Sequence, residues 1–373
     1  MDGDLTNSSF NNSTENPPFE FNDYTQRVIV AIMFLIVILL GTVGNSLVIL
    51  AVILSKKLRT TTNAFVVNLG VADLSTCLVL PWSVVAMLST NGLPVGEWVC
   101  SMTVVIQATC IGCSTHTLAF IGLQRLLLIK RPMTTYRDIY TLRKIAVWLA
   151  VAWCIPLLVT LIPPLADVGG VGYKKKYHLC GFLSDHPRSK DYDLILVFVL
   201  YPTPLITIII CYVLIWKHLR NHAKKVTAPE SSEKLVTTHM TVVSQSVATV
   251  NTCSNHARTS TQGTFRKSQM SRRMTEITKN MFYIVCAFML CLTPYAICLL
   301  KDGTDPFLPY ALAILLFNSC VNPLIYATKH RDFKTVFRCI LRRKWEDIPE
   351  PSDFLKTLIS GERPFCGGGS VVT

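Results

Sequence analysis

The chain has 373 residues, of which 50% are hydrophobic and only 16% are charged. Soluble domains carry about 25% charged residues, so this composition excludes a soluble multidomain enzyme, a disordered chain and a small disulfide scaffold. The net charge of +13 would suit a nucleic-acid partner, but no recognisable nucleic-acid-binding module accompanies the basic residues. We therefore predict no nucleic-acid partner and a chain whose solvent is largely the lipid bilayer.

Seven apolar stretches are each long enough to cross a bilayer, which takes about 20 residues in a helix. We therefore predict an all-α membrane protein, a bundle of seven transmembrane helices followed by a short amphipathic helix in the cytosol. The predicted spans are residues 28–54, 64–88, 99–129, 145–166, 194–216, 281–300 and 307–328.

Lysine and arginine residues near the ends of the spans set the orientation, because cytosolic loops are enriched in them. Basic residues fill the first, third and fifth connections, as Lys57, Arg131 and Arg266 illustrate. The first 26 residues contain five acidic residues and no basic one. We predict an N-terminus outside the cell, a C-terminus in the cytosol and a first span that serves as the insertion signal without a cleaved signal peptide.

This orientation divides the chain into segments with different surroundings. The fifth connection, about residues 220–274, is rich in Ser and Thr without apolar periodicity, so we predict a disordered cytosolic loop. The segments are an extracellular tail (1–26), a transmembrane domain (27–329), an amphipathic juxtamembrane helix (330–343) and a cytosolic tail (344–373).

The same topology indicates two kinds of covalent modification. The external tail carries glycosylation sequons at Asn7, Asn11 and Asn12. Cys339 lies in a basic, amphipathic stretch just after the last span, where it is either a palmitoylation site or an unmodified thiol.

Most of the 14 cysteines lie within or beside spans, where a thiol acts as a small packing residue. Cys100 and Cys180 differ, because both lie on the extracellular side. An oxidising compartment favours disulfides, so we predict a bridge between these two residues.

Polar residues of three spans fall at one depth in the membrane. At a rise of about 1.5 Å per residue, Ser114 and Asn322 lie about 21–22 Å below the outer ends of their spans, and Asp73 lies about 15 Å above the inner end of span two. Asn318 and Ser319 lie one turn above Asn322. A carboxylate in a low dielectric needs a proton or a cation. Two interpretations remain open: a hydrogen-bonded cluster that joins helices, and a cation site that also switches.

The same residues belong to a pattern that resembles the rhodopsin-like (class A) G-protein-coupled receptors over nearly all of residues 27–343. Within that family the chain shows a faint similarity to the melatonin-like receptors and an orphan-like character. The matching residues are Gly44 and Asn45, Asn68 to Asp73, Trp98 and Cys100, Trp153 and Pro163, Pro204 and Tyr212, Phe288, Cys291 to Pro294, Asn322 to Tyr326, and Arg331 to Phe333.

The resemblance implies a ligand-activated switch in the plasma membrane, with a heterotrimeric G protein, arrestin and receptor kinases as cytosolic partners. It implies an inhibitory sodium site and no other cofactor. The implied sodium ligands are Asp73, Ser114, Asn318, Ser319 and Asn322. The residues implied in coupling and switching are Gln124, Arg125, Tyr212, Pro294, Asn322, Pro323 and Tyr326.

Departures from the family pattern are informative. The acidic residue expected before Arg125 is Gln124, whose neutral amide cannot hold the guanidinium in a charged pair. The aromatic residue expected two positions before Pro294 is Leu292. The carboxylate that amine receptors of the family use is replaced by Gln107, so a protonated amine lacks its counter-ion.

The resemblance also implies an apolar pocket on the extracellular side, below a loop that contains the three lysines 174–176. Such a pocket suits a neutral or anionic amphipath, or the apolar end of a peptide, although the lysines also suit a plain solvated loop. The implied pocket residues are Gln107, Ile111, Leu196, Leu200, Leu292, Tyr295, Leu299, Leu312 and Leu316.

The sequence contains no catalytic constellation or nucleotide motif, so we predict a receptor and not an enzyme. Two alternatives remain. Gln124 leaves open a non-coupling receptor of the same fold, either a scavenger or an arrestin-only receptor. A seven-span transporter or channel is disfavoured, because no internal repeat or path of paired ionisable residues is visible.

Overall fold

The computed structural model describes residues 19–130, 141–227, 282–283, 285–301 and 303–360. Six helical segments are long and apolar enough to cross a membrane, and a shorter apolar helix supplies the sixth of the predicted spans. The predicted seven-helix bundle is therefore confirmed. Span one is Tyr24–Leu54, span two Thr61–Leu88, span three Glu97–Lys130, span four Leu142–Leu165, span five Ser189–Leu200 with Pro202–Thr227, span six Val285–Leu300 and span seven Leu308–Lys329.

Side-chain caps determine where several spans begin. Asp23 accepts a hydrogen bond from the backbone N–H of Thr25 at the start of span one. Thr60 and Thr141 cap spans two and four in the same way. Each cap satisfies a backbone donor that has no partner within its own helix.

Span five departs from the predicted continuous helix. It begins at Ser189, earlier than predicted, and is interrupted at Tyr201. Pro202 is the physical reason, because proline has no N–H to donate and disfavours the helical conformation of the residue before it.

Span three is the central helix of the bundle. In its most apolar 18-residue window 78% of the residues are buried, against 22% in span four. A glycine allows its neighbours to approach: a Cβ atom at Gly112 would lie 2.5 Å from Cβ of Pro156 in span four. Span three therefore packs against spans two, four and five. Its buried polar side chains must find partners inside the protein.

Hydrogen bonds between side chains and neighbouring helices hold the bundle together. Asn68 of span two donates to Thr117 of span three at 2.9 Å and accepts from the indole N–H of Trp153 at 2.9 Å. Asn45 of span one donates to the backbone carbonyl of Ser319 in span seven at 2.9 Å. These contacts join spans that the apolar contacts alone would leave free to slide.

A β-hairpin covers the extracellular end of the bundle. Strands β1 (Gly170–Lys174) and β2 (Leu179–Leu183) are antiparallel, and Tyr173 pairs with Cys180. The disulfide predicted between Cys100 and Cys180 is present and attaches the hairpin to the start of span three. Lys176 forms an ion pair of 2.9 Å with Asp305 before span seven.

The cytosolic end contains more ordered structure than the sequence predicted. The juxtamembrane helix runs over Arg331–Leu341 and is followed by a short turn, Trp345–Asp347, and a helix, Asp353–Ser360. The first part of the predicted cytosolic tail is therefore folded against the bundle. Most of the predicted disordered loop and the sequons at Asn7, Asn11 and Asn12 lie outside the described residues.

The hairpin geometry generates a first prediction. Replacing Cys100 or Cys180 by Ser removes a crosslink worth about 2–4 kcal/mol and frees the hairpin from span three. We expect a sharp loss of cell-surface receptor, measured by labelling an N-terminal tag on intact cells. The control is Cys154→Ser, which changes an exposed free thiol of span four. Normal surface levels of both disulfide variants would contradict the prediction.

Candidate ligand pocket and signalling switch

A cavity opens between the extracellular halves of the helices, below the hairpin. The space between its walls, including the solvent at its open mouth, is about 950 Å³. Spans three, five, six and seven form its walls, and strand β2 with Lys174 forms its roof. The lining residues are Val104, Gln107, Ala108, Ile111, Lys174, Leu179, Cys180, Gly181, Phe182, Leu196, Val197, Leu200, Tyr201, Leu292, Tyr295, Ala296, Leu299, Leu308, Leu312 and Leu315.

Eight of the nine predicted pocket residues line this cavity. Leu316 does not line the cavity, so the prediction for this residue was wrong. It is 1% exposed and belongs to a buried cluster with Val37 of span one and Cys77 of span two, while Leu315 faces the cavity. One residue along a helix turns the side chain by about 100°, which is enough to move it from one face of span seven to the next.

Polar groups reach the cavity from its depth and its roof. Gln107 is 6% exposed, and its amide nitrogen has no hydrogen-bond partner among the described residues. The ammonium group of Lys174 lies 5.0 Å from the ring centre of Tyr177. Burial lowers the pKa of Lys174, and the nearby Asp193 carboxylate opposes that shift only in part. Both groups are hydrogen-bond donors in a mostly apolar lining, which also contains the hydroxyl-bearing Tyr201 and Tyr295.

A second polar site lies below the cavity, at the middle of the membrane. Asp73 is 2% exposed. One carboxylate oxygen accepts from the Ser114 hydroxyl at 3.1 Å, and the other accepts from the Asn322 amide at 2.9 Å. Ser319 lies near the same carboxylate. Asn318 is buried one turn higher, and no hydrogen bond to Asp73 is described for it.

The donor set of this cluster fits a monovalent cation. It supplies one carboxylate and the hydroxyl oxygens of Ser114 and Ser319, which are ligands for hard cations. Its single carboxylate matches the charge of a monovalent ion. The direct hydrogen bonds equally satisfy the interpretation in which the cluster joins spans two, three and seven.

A third cluster lies at the cytosolic end of span three. Arg125 is 9% exposed and Gln124 is fully buried. Tyr212 of span five and Tyr326 of span seven lie close enough to Arg125 to interact with its charge. Tyr326 also stacks on Phe333 of the juxtamembrane helix, with ring centres 5.3 Å apart.

The predicted proline positions lie in the helices that frame these clusters. Pro294 is within span six, two residues after Leu292 on the cavity wall. Pro323 is within span seven and packs closely on Gly44 of span one. A Cβ atom added at Gly44 would lie 2.8 Å from Cβ of Pro323. Each proline removes a backbone hydrogen bond, which makes a bend in its helix less costly.

One contact beside the cavity was not predicted from the sequence. The Tyr201 hydroxyl pairs with Thr293 at 2.7 Å and joins spans five and six beside the cavity. Lys174, in contrast, was predicted in the loop over the pocket, with a plain solvated loop as the alternative, and it lies in the cavity roof.

Cys339 is half-buried, and its thiol donates to the backbone carbonyl of Asp347 at 3.5 Å.

Comparison with known proteins agrees with this geometry. The family described as "7 transmembrane receptor (rhodopsin family)" matches residues 44–326. The chain is 28% identical to the mouse (Mus musculus) "Alpha-1D adrenergic receptor", over 87% of this chain and 61% of the relative. It is 26% identical to the "G-protein coupled receptor moody" of Drosophila melanogaster, over 88% of this chain and 54% of the relative.

A further relative is the "Rhodopsin, GQ-coupled" of Mizuhopecten yessoensis, at 27% identity over 82% of this chain and 58% of the relative. The chain thus spans about three fifths of the length of these relatives or slightly less. Squid rhodopsin has the same fold, with a TM-score of 0.69 at 21% identity, over 92% of this chain and 93% of that one. Because the family match covers most of the chain and the described helices have its arrangement, the protein belongs to the rhodopsin family of seven-transmembrane receptors.

Proposed function

We propose that this protein is a plasma-membrane receptor in which an extracellular ligand, bound in the cavity, shifts the bundle to a state that activates a heterotrimeric G protein. The observation that carries the proposal is the layout of span three. Gln107 lies at the cavity, Ser114 at the mid-membrane cluster and Arg125 at the cytosolic end of one helix. A ligand that binds one arrangement of these groups better than another shifts the population of states.

The lining of the cavity favours a ligand with an apolar body and an acceptor or anionic group. Lys174 and Gln107 offer donors, and none of the lining residues carries a carboxylate. A protonated amine would therefore meet a cation in the lining, and the nearby Asp193 carboxylate acts on that cation and is not itself a lining residue. The class that fits is a neutral or anionic amphipath, or the apolar end of a peptide.

A second candidate function is motivated by Gln124. A neutral amide beside Arg125 would also suit a receptor that binds ligand without coupling, such as a scavenger or an arrestin-only receptor. Basal nucleotide exchange separates the two, because a non-coupling receptor gives none. The proposed receptor also has arrestin and receptor kinases as cytosolic partners and is palmitoylated at Cys339.

The ligand class can be tested with a matched pair of variants. Lys174→Gln removes a charge from the cavity roof, whereas Lys175→Gln removes one from the exposed turn beside it. The probes are alkyl carboxylates, alcohols and amines of equal chain length, read by G-protein dissociation in cells. For carboxylates we expect the Lys174 variant to lose about 10- to 100-fold in potency, because a charge-assisted hydrogen bond is worth about 1.5–3 kcal/mol.

The Lys175 variant is expected to respond like the wild type. Equal losses in both variants, or a preference for amines, would reject the anionic ligand class.

The cation interpretation of the mid-membrane cluster is a separate prediction. When bound, a sodium ion would supply the charge that neutralises the Asp73 carboxylate. We expect purified receptor to have a higher unfolding midpoint in sodium chloride than in choline chloride. When the sodium concentration is ten times its dissociation constant, the free energy of unfolding should rise by about 1.4 kcal/mol. Agonist affinity should fall as sodium rises, if the ion favours the resting state.

Asp73→Asn is expected to abolish both sodium effects while it keeps acceptor and donor atoms at the same position. An unchanged sodium response in this variant would leave the cluster as a helix-joining group only.

The role of Gln124 leads to a prediction about resting activity. A charged hydrogen bond exceeds a neutral one by about 1 kcal/mol, so Gln124→Glu should strengthen the restraint on Arg125. We expect ligand-free nucleotide exchange to fall about fivefold when the active state is rare, at equal surface expression. Gln124→Asn, which stays neutral, is the control. Higher exchange in the acidic variant would refute the restraint, and no exchange in any variant would favour the non-coupling receptor.

A further inference from the structure

The apolar face of the juxtamembrane helix is covered by protein. Phe333, Val336, Phe337 and Ile340 are all buried, although the helix is strongly amphipathic and comes directly after a membrane span. An amphipathic helix in this place would ordinarily lay its apolar face into the lipid. In this chain the side chains of that face contact protein instead of lipid.

Spans one and seven cover most of this face, and a C-terminal strap, defined as residues 345–360, joins them through its first turn. Its Ile348 and Leu355 are 2% and 0% exposed and join the same cluster as Leu54 and Leu58 of the first cytosolic connection. The strap thus adds apolar side chains to the cluster that joins the end of span one and the juxtamembrane helix.

Polar contacts fix the strap to the inner end of span one. Ser352 N–H donates to the backbone carbonyl of Leu54 at 2.8 Å, and Lys56 N–H donates to that of Glu350 at 2.7 Å. The Ser55 hydroxyl donates to the Pro349 carbonyl at 2.6 Å. These bonds place the strap at the level where the apolar run of span one ends, which is the headgroup region of the cytosolic leaflet.

The strap and the residue at the end of the juxtamembrane helix expose apolar side chains at this level. Phe354 and Leu358, one turn apart in the strap helix, are 59% and 64% exposed. Ile359 and Leu341 are exposed as well. Their partner Leu355 faces inward, so the helix divides its apolar residues between the protein core and the surroundings.

The charges around these side chains match an anionic surface. Arg342, Arg343 and Lys356 are exposed beside them. The Asp353 carboxylate is paired with Lys56 at 2.6 Å. The strap's other exposed acids, Glu346, Asp347 and Glu350, lie in the connection between the helices and not in the strap helix itself, and Asp347 is paired with Lys344 at 4.0 Å.

We propose that the outer face of the strap helix, formed by Phe354, Leu358 and Ile359, inserts into the headgroup region of the cytosolic leaflet, with Arg342 and Arg343 contacting anionic lipids. The strap then supplies the apolar side chains that the covered face of the juxtamembrane helix does not offer to the lipid. The partner is a lipid surface of phosphatidylserine type, because both apolar insertion and basic charge are present. This inference depends on the membrane topology and not on the identity of the ligand.

Photo-crosslinking of the full-length receptor tests the proposal. The photoreactive residue p-benzoylphenylalanine replaces Phe354 or Leu358, with Glu346 as the exposed polar control, and the receptor is reconstituted alone in phosphatidylserine-containing nanodiscs. Intact mass spectrometry then reports phospholipid adducts. We expect a several-fold higher adduct yield at 354 and 358 than at 346, and a lower yield in nanodiscs of neutral lipid.

The double variant Arg342→Gln, Arg343→Gln tests the charged part with the crosslinker at 358. Its yield should fall towards the neutral-lipid value, at an unchanged unfolding midpoint. Adduct yields at 354 and 358 no higher than at 346 would overturn the proposal. So would crosslinks at these positions to a G-protein subunit or arrestin, in place of lipid, when the same receptor is irradiated in cell membranes.

Discussion

The arrangement of this bundle depends on one constraint: a polar group inside the bilayer must find its partner inside the protein. Asp73 carries the largest demand, because an unpaired carboxylate in hydrocarbon is far more costly than an amide or a hydroxyl. It takes one hydrogen bond from span three and one from span seven. Asn45 and Asn68 likewise form hydrogen bonds to other spans, Asn45 to a backbone carbonyl and Asn68 to two side chains. These contacts set the rotation and depth of each helix, which apolar packing against lipid leaves nearly free.

The same contacts connect the two ends of the molecule. Span three borders the cavity through Gln107 and the cytosolic cluster through Arg125, with Ser114 bonded to Asp73 between them. A change of state has to rearrange these polar pairs as a set, because breaking one leaves a buried group unsatisfied at a cost of about 1–3 kcal/mol. Interfaces of this kind have discrete arrangements rather than a continuum, which is the property that a switch requires.

Composition, spacing and depth were enough to predict the spans, their orientation and the level of Asp73. They could not predict which of two adjacent leucines faces the cavity, because Leu315 and Leu316 differ by one step of helix rotation and the answer depends on how span seven packs. Pro202 indicates the interruption of span five at Tyr201, but the continuous apolar run 194–216 favoured a single helix. The strap was not readable, since an eight-residue helix around Leu355 is stable only through its tertiary contacts.

The three lysines of the extracellular hairpin show how an unfavourable charge distribution is compensated. Lys176 pairs with Asp305, which also accepts from the Tyr177 hydroxyl. Burial opposes the charge of Asp305, but these contacts outweigh it and lower the pKa of its carboxyl. The ion pair is therefore fully present above the ordinary pKa of an aspartate and is lost only as the pH falls through the lowered value. At physiological pH it fixes the hairpin to span seven, and this position holds Lys174 over the cavity.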